Sequence, residues 1–290
     1  MRYRVFHRTD YAYSGRVQDS VGQFHLIPRE LPWQTVSSHA VTVDPAPSDV
    51  ERDIDYFGNS VTYFHVTDPH SRLSIESTSE VEVTTPEYSE AALSQPWENA
   101  RPLLAPDTTG AWSATEFALE SPRAALEQSA REYAAASLLP GRPLGEAVSD
   151  LMHRIHADFD YDSTATTVTS TVADAMRKRA GVCQDFAHLA LSGLRGHGVA
   201  ARYVSGYLAT RPAPGQERVF GADASHAWLA VWAPGGEWLA IDPTNDQWAD
   251  DRYVTVAWGR DYGDVSPVKG IIFTKAKRST LRVSVDVAPL

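Results

Sequence analysis

Gly181-Val182-Cys183-Gln184-Asp185-Phe186-Ala187 holds the only cysteine of the chain. Downstream stand Ser225-His226-Ala227-Trp228 and Ile241-Asp242-Pro243-Thr244-Asn245. In chain order they supply a thiol, an imidazole and a carboxylate: a nucleophile, a base and a group that orients the base. After Cys183, the residues Phe186, Leu189, Ala190, Gly193 and Leu194 recur at spacings of three and four, and Gly196-His197-Gly198 closes the run. The cysteine therefore opens an amphipathic helix. Unpaired N–H groups and the helix dipole at that end favour a thiolate. An isolated cysteine is more often a small buried hydrophobe; the histidine and aspartate that follow turn the reading toward catalysis. Asp185, in the first turn, complements the dipole but also opposes a thiolate, so its net effect stays open.

His226 and Asp242 flank a hairpin whose tip is Pro234-Gly235-Gly236. Side chains alternate faces along a strand, so loop length decides whether the two meet. A three-residue loop pairs Ala233 with Glu237, Trp228 with Asp242 and His226 with Thr244, which makes His226 and Asp242 diagonal neighbours on one face. A glycine at the third loop position suits that turn. A two-residue loop would put them on opposite faces. The Cys183 backbone N–H is one candidate oxyanion donor. Tyr161, in Asp158-Phe159-Asp160-Tyr161-Asp162, could supply a second through its hydroxyl, with core packing an equal alternative.

The 290 residues suit one large domain or two smaller ones, and 43% hydrophobic with 10% aromatic residues is enough for an ordinary core. A net charge of -11 argues against nucleic acid or an anionic membrane as partner. No apolar run is long enough to cross a bilayer, and Met1-Arg2-Tyr3-Arg4-Val5-Phe6 alternates like a strand and lacks an apolar signal-peptide core. With one cysteine and no internal disulfide, a cytoplasmic location is expected. The ten histidines are scattered without short paired spacing, so neither metal nor cofactor is expected. His7, His25, His39, His65 and His70 read as structural or surface residues of a β region, and His188 as a helix-packing residue.

Residues 1–87 read as β structure: Val41-Thr42-Val43, Val61 to Val66 and Val81-Glu82-Val83 are β-branched or aromatic runs divided by Asp44-Pro45, Gly58-Asn59 and Asp68-Pro69. A small β-sandwich is expected there. Residues 88–120 form a proline-punctuated connector. The segment 121–290 holds the core with C-terminal strands. Ser121-Pro122 opens a helix by a capping serine and a first-turn proline, ending before Pro140-Gly141. A second helix spans about 146–157, with Val148, Leu151, Met152 and Ile155 on one face. Strands follow at 201–208, 227–232, 237–241, 253–258 and 281–287.

Gly-Val-Cys183-Gln-Asp-Phe-Ala, Ala201-Arg-Tyr-Val-Ser-Gly-Tyr207, His226-Ala-Trp and Asp242-Pro-Thr-Asn closely resemble the bacterial transglutaminase-like family. Gly259-Arg-Asp-Tyr262 and Pro267-Val-Lys-Gly270 fit the same pattern. In the N-terminal half, His7-Arg-Thr-Asp-Tyr11, Leu26-Ile-Pro-Arg29 and Asp55-Tyr-Phe-Gly-Asn59 resemble the β domain that precedes this core in the family. The resemblance implies an α+β fold, in which an N-terminal β-sandwich is followed by a papain/transglutaminase-like core with the nucleophile helix packed on an antiparallel sheet. It matches Cys183, His226 and Asp242 to the family's triad. It implies a cysteine hydrolase or acyltransferase: a protease, deamidase or transamidase acting on a protein or peptide, with water or an amine as acceptor. The alternative is a non-catalytic protein-binding module on the same scaffold. Substrate and oligomeric state are not readable from the residues.

Overall fold

The computed structural model describes residues 1–210 and 225–290. The N-terminal region is a seven-stranded antiparallel sheet built around one 23-residue strand, β1 (Arg2–Phe24). Its first half pairs with β5 (His70–Val83), which pairs in turn with β2 (Gln34–Asp44). Its second half pairs with β4 (Ser60–Val66), beside β3 (Asp49–Ile54). Because β1 serves both halves, the expected sandwich is one sheet folded on itself. Phe24, Phe64 and Val66 from one half pack against Leu73 and Ile75 from the other. Along β1, Tyr3, Val5, His7 and Thr9 are buried while Arg4 and Arg8 are exposed, the alternation of a strand with one covered face.

The connector forms short helices, α1 (Glu90–Ser94) and α2 (Ala111–Ala114) among them. Next come α3 (Gln128–Ala135), α4 (Leu144–Asp158), a two-residue strand β6 (Asp160–Tyr161), α5 (Val172–Lys178) and β7 (Ala180–Gly181). The central helix α6 (Cys183–Gly196) is buried on nearly every side. It packs on β8 (Ala201–Leu208) and β9 (Ser225–Ala233), with α3, α4 and α5 around it. These strands belong to an antiparallel five-stranded sheet, completed by β10 (Glu237–Asp242), β11 (Gln247–Trp248) and β12 (Tyr253–Gly259) in the order β11-β10-β9-β8-β12. No helix among the described residues is long and apolar enough to cross a membrane.

Two features depart from the sequence reading. The C-terminal strands β13 (Val268–Thr274) and β14 (Ser279–Pro289) do not extend the core sheet. They pair with β1, along its second and first halves respectively. Both strands thus belong to the N-terminal sheet, through pairings separated by more than 240 residues that no local pattern announces. The helix expected at Ser121 begins instead at Gln128. Ser121 and Ala124 close a tight turn, the Ser121 hydroxyl accepts from buried Arg195, and the Arg123 N–H donates to Asp261. Tertiary partners thus take the groups that would have capped a helix.

The two halves meet along β12. The Asn59 side chain donates to the Trp258 carbonyl and accepts from its N–H, both at 2.9 Å, and Gln34 brackets Thr255 in the same way. The Tyr207 hydroxyl lies 3.0 Å from His7 Nδ1. Burial drops the pKa of His7 to about 4, so it is neutral at physiological pH.

Candidate active site

Cys183 is the first residue of α6, preceded by extended Val182. The turn into the helix is clamped by Asp185, whose Oδ2 accepts the Val182 N–H at 2.9 Å and the Thr166 hydroxyl at 2.6 Å. This fold-back needs Gly181. A Cβ there would fall 2.8 Å from both Cβ and Oδ2 of Asp185, closer than real side chains approach. Burial raises the Asp185 carboxyl above its ordinary value against those two bonds. No hydrogen bond engages the Cys183 N–H among the described residues, as expected for the first turn of a helix.

The hairpin joining β9 to β10 has the three-residue register: Ala233 faces Glu237 and Leu229 faces Ile241. Gly235 and Gly236 both adopt positive φ, which glycine reaches without strain. His226 and Asp242 therefore share a face, and His226 Nε2 lies 2.7 Å from Asp242 Oδ2. The Cys183 side chain adjoins His226, whose pKa it raises together with Asp242, and the two line one cleft. With Nε2 turned to the carboxylate, Nδ1 is the nitrogen left for sulfur. The structure thus brings Cys183, His226 and Asp242 into one chain of contacts. Trp228 stacks on the His226 ring, centroids 6.0 Å apart.

Asp242 is fully buried and surrounded by donors. Oδ1 accepts the Thr244 N–H at 2.9 Å; Oδ2 accepts the Asn245 amide and the Tyr253 hydroxyl, each at 2.7 Å. Burial opposes its ionisation, but the bonds from His226, Asn245 and Tyr253 overcome this and hold its pKa below the ordinary value. Burial alone would likewise depress the imidazole. The hydrogen bonds and charges of Asp242 and Cys183 outweigh it and raise the His226 pKa to about 10. At neutral pH the imidazole is therefore protonated, between the Cys183 sulfur and the Asp242 carboxylate.

Cys183 and His226 open onto a cleft of about 280 Å³, walled by Tyr161, Leu208, Ser225, Thr244 and Asn245. Tyr161 is 63% exposed, so it is a rim residue and not a core one. Parallel pairing of β6 with β7 sets it opposite Gly181, two residues before the cysteine. Burial, then the charge of Cys183, raises its pKa, so the phenol keeps its proton.

Comparison with known proteins gives this geometry a family. Residues 3–82 match the bacterial transglutaminase-like N-terminal region, and residues 131–243 match the transglutaminase-like superfamily. An uncharacterised protein of Mycobacterium tuberculosis is 49% identical, over 99% of this chain and 93% of its own length. The chain belongs to the bacterial transglutaminase-like family. An uncharacterised protein of Mycobacterium leprae is 34% identical over 100% of this chain and 99% of its own. A protein-glutamine gamma-glutamyltransferase of Pseudomonas aeruginosa is 32% identical over 36% of this chain and 18% of its own. A solved structure from Cytophaga hutchinsonii, provisionally named a cysteine protease, covers 100% of this chain and 91% of its own with a TM-score of 0.75 at 21% identity, a likeness of fold.

Within this transglutaminase-like core, two residues at the site carried no individual sequence signal. Tyr253 opens β12, and its hydroxyl also receives the Gln247 side chain. Asn245 was visible only as the end of Asp242-Pro243-Thr244-Asn245. Trp228 and Trp232 are core residues of the sheet. His188, on α6, packs against Tyr203 and accepts the Tyr262 N–H at 3.2 Å. Among the described residues no cluster of three or more His, Cys, Asp or Glu is placed to hold a metal.

Proposed function

We propose that the protein is a cysteine acyl-transfer enzyme or hydrolase acting on a carboxamide or peptide bond. The observation that carries this reading is His226 held by the buried Asp242 carboxylate and lining one cleft with Cys183. The thiolate attacks the carbonyl carbon, and the tetrahedral oxyanion forms next to the Cys183 N–H and the Tyr161 hydroxyl. As the C–N bond breaks, imidazolium gives its proton to the departing ammonia or amine, leaving a thioester and neutral His226. Water or an incoming amine then loses its proton to His226 and attacks the thioester. This releases acid or new amide and restores the thiolate–imidazolium pair. Asp242, held by Tyr253 and Asn245, keeps the ring oriented throughout.

We take water, or a specialised acceptor, over general protein cross-linking. Tyr161 on the cleft wall is exposed, and a transamidase must instead keep its thioester dry. The partial likeness to a gamma-glutamyltransferase keeps the amine route as the competing outcome. The test offers a glutamine peptide with rising primary amine and quantifies ammonia, free acid and amine adduct. Free acid as the main product supports hydrolysis; adduct at millimolar amine with little acid refutes that choice. We place the enzyme in the cytoplasm, where an unpaired thiol stays reduced. Recovery from the membrane or medium fraction would contradict this.

A further inference from the structure

Two arginines among the described residues are buried, and they differ in one respect. Arg195, on α6, donates five hydrogen bonds, to Phe117, Ala201, Ser121 and Arg260. Arg202, on β8, is 7% exposed and donates none among the described residues; its Nε is buried without a partner. It lies on the sheet face turned away from α6, stacked between Trp258 and Trp238 at 3.6 and 4.2 Å from the ring centroids. Arg29 also stacks on Trp258 at 3.6 Å. Two guanidinium carbons cannot share one face at that distance, so they sandwich the indole. The rings cover the flat faces of Arg202 and leave the N–H donors at its edge unmatched. Among the described residues no carboxylate neutralises it; its charged or ionisable neighbours are Arg29 and Tyr88.

Arg202 lines a cavity of about 460 Å³ walled by Phe57, Trp112, Phe117, Trp238 and Trp258. That is the size of small-molecule sites in general. It shares no lining residue with the Cys183 cleft. Arg202 pairs with Ala230 and Gly206 with His226, so the guanidinium stands four residues along the sheet, roughly 13 Å from the histidine at strand spacing. Buried Trp228 lies between them.

The structure assigns to this cavity a small monocarboxylate with a flat or apolar body, its carboxylate on the edge of Arg202 and its body among the tryptophans. A planar guanidinium presents paired donors that match a carboxylate. Glu116 stands on the same wall, beside Arg260 at 3.7 Å, and its charge disfavours a second acid group on the ligand.

The test is calorimetric titration of the whole protein with 3-phenylpropionate and octanoate, against 3-phenylpropionamide, succinate and inorganic phosphate. Saturable binding of at least one monocarboxylate is expected, with the neutral amide weaker by about tenfold or more, since a charge-assisted bond is lost. Succinate and phosphate should bind more weakly still. Arg202→Gln should abolish binding. Trp112→Ala, at a residue 87% exposed, should weaken it without moving the melting temperature of the free protein, and it decides the question if Arg202→Gln does not fold. No saturable monocarboxylate binding, equal binding of the amide or of phosphate, or unchanged binding in Trp112→Ala would overturn the assignment.

Discussion

Tyr253 donates its hydroxyl hydrogen to Oδ2 of Asp242 at 2.7 Å, the same oxygen that meets His226. The two residues lie on different strands, β12 and β10, separated in the sheet by β9 and β8. A phenol on the edge strand β12 thereby fixes a carboxylate on β10, across two intervening strands.

Tyr253→Phe should lower kcat by about tenfold with little change in KM, because it removes a charge-assisted bond that orients Asp242 without touching the cleft. The melting temperature should fall by the equivalent of about 1.5–3 kcal/mol, the usual net worth of a hydrogen bond to a charged group. Steady-state kinetics with thermal melts separate the two effects. A loss confined to KM would remove Tyr253 from a positioning role.

The activity profile should stay high into alkaline pH. His226 is protonated below about 10, so the general acid is present at neutral pH and is lost as pH rises through about 10. Its raised pKa also contributes stability that is fully present below the ordinary value of 6.5 and disappears through the same alkaline range. Asp242→Asn removes the carboxylate charge, so the alkaline limb should move toward neutral pH and kcat should drop by about a thousandfold or more. An alkaline limb unmoved by Asp242→Asn would show that it belongs to another group.

Acid should destabilise the fold through two buried histidines. Burial lowers His7 and His188 to about 4, so between 6.5 and 4 the unfolded chain binds more protons than the folded one. Stability is therefore complete above 6.5 and falls as pH drops through this window, by on the order of 3 kcal/mol for each residue at its lower end. Urea melts at pH 7 and pH 4.5 measure it. Equal midpoints at both would exclude neutral burial of these rings.

Gly181→Ala should inactivate out of proportion to its size. The new methyl meets Asp185 at 2.8 Å, displaces the carboxylate from the Val182 N–H and tilts the start of α6. The expected cost is about 1–3 kcal/mol of stability from overpacking, and about tenfold or more in kcat from misplacing the thiol. Full activity in this variant would mean that the clamp does not position Cys183.

What the sequence made legible was local. Gly181 and Cys183 mark a helix start within a few residues, and Pro234-Gly235-Gly236 sets a hairpin register that needs only counting to bring His226 beside Asp242. The Asn59 and Arg29 motifs were visible, but their purpose, the docking on Trp258, depends on a strand about 200 residues later. The same distance hid β13 and β14, whose alternation fits either sheet. Ser121 looked like a cap because capping is a local habit, and Arg195 and Ala124 claimed it through tertiary contacts. Tyr253 gave no signal, since one phenol on a strand has no pattern around it, and Arg202 was visible only inside Ala201-Arg-Tyr-Val-Ser-Gly-Tyr207, where nothing local announces its stacking on Trp258 and Trp238.

The central claim is that Cys183 is a nucleophile activated by His226. Reaction with p-nitrophenyl acetate, followed by intact-mass and peptide mass spectrometry, tests it most directly, because an activated ester needs no substrate recognition. The account predicts rapid, stoichiometric acetylation at Cys183, abolished in Cys183→Ala with nearly unchanged melting temperature and strongly slowed in His226→Ala. Acetylation of Cys183 no faster than that of free cysteine, and indifferent to His226→Ala, would contradict it and leave a binding module on a transglutaminase-like scaffold.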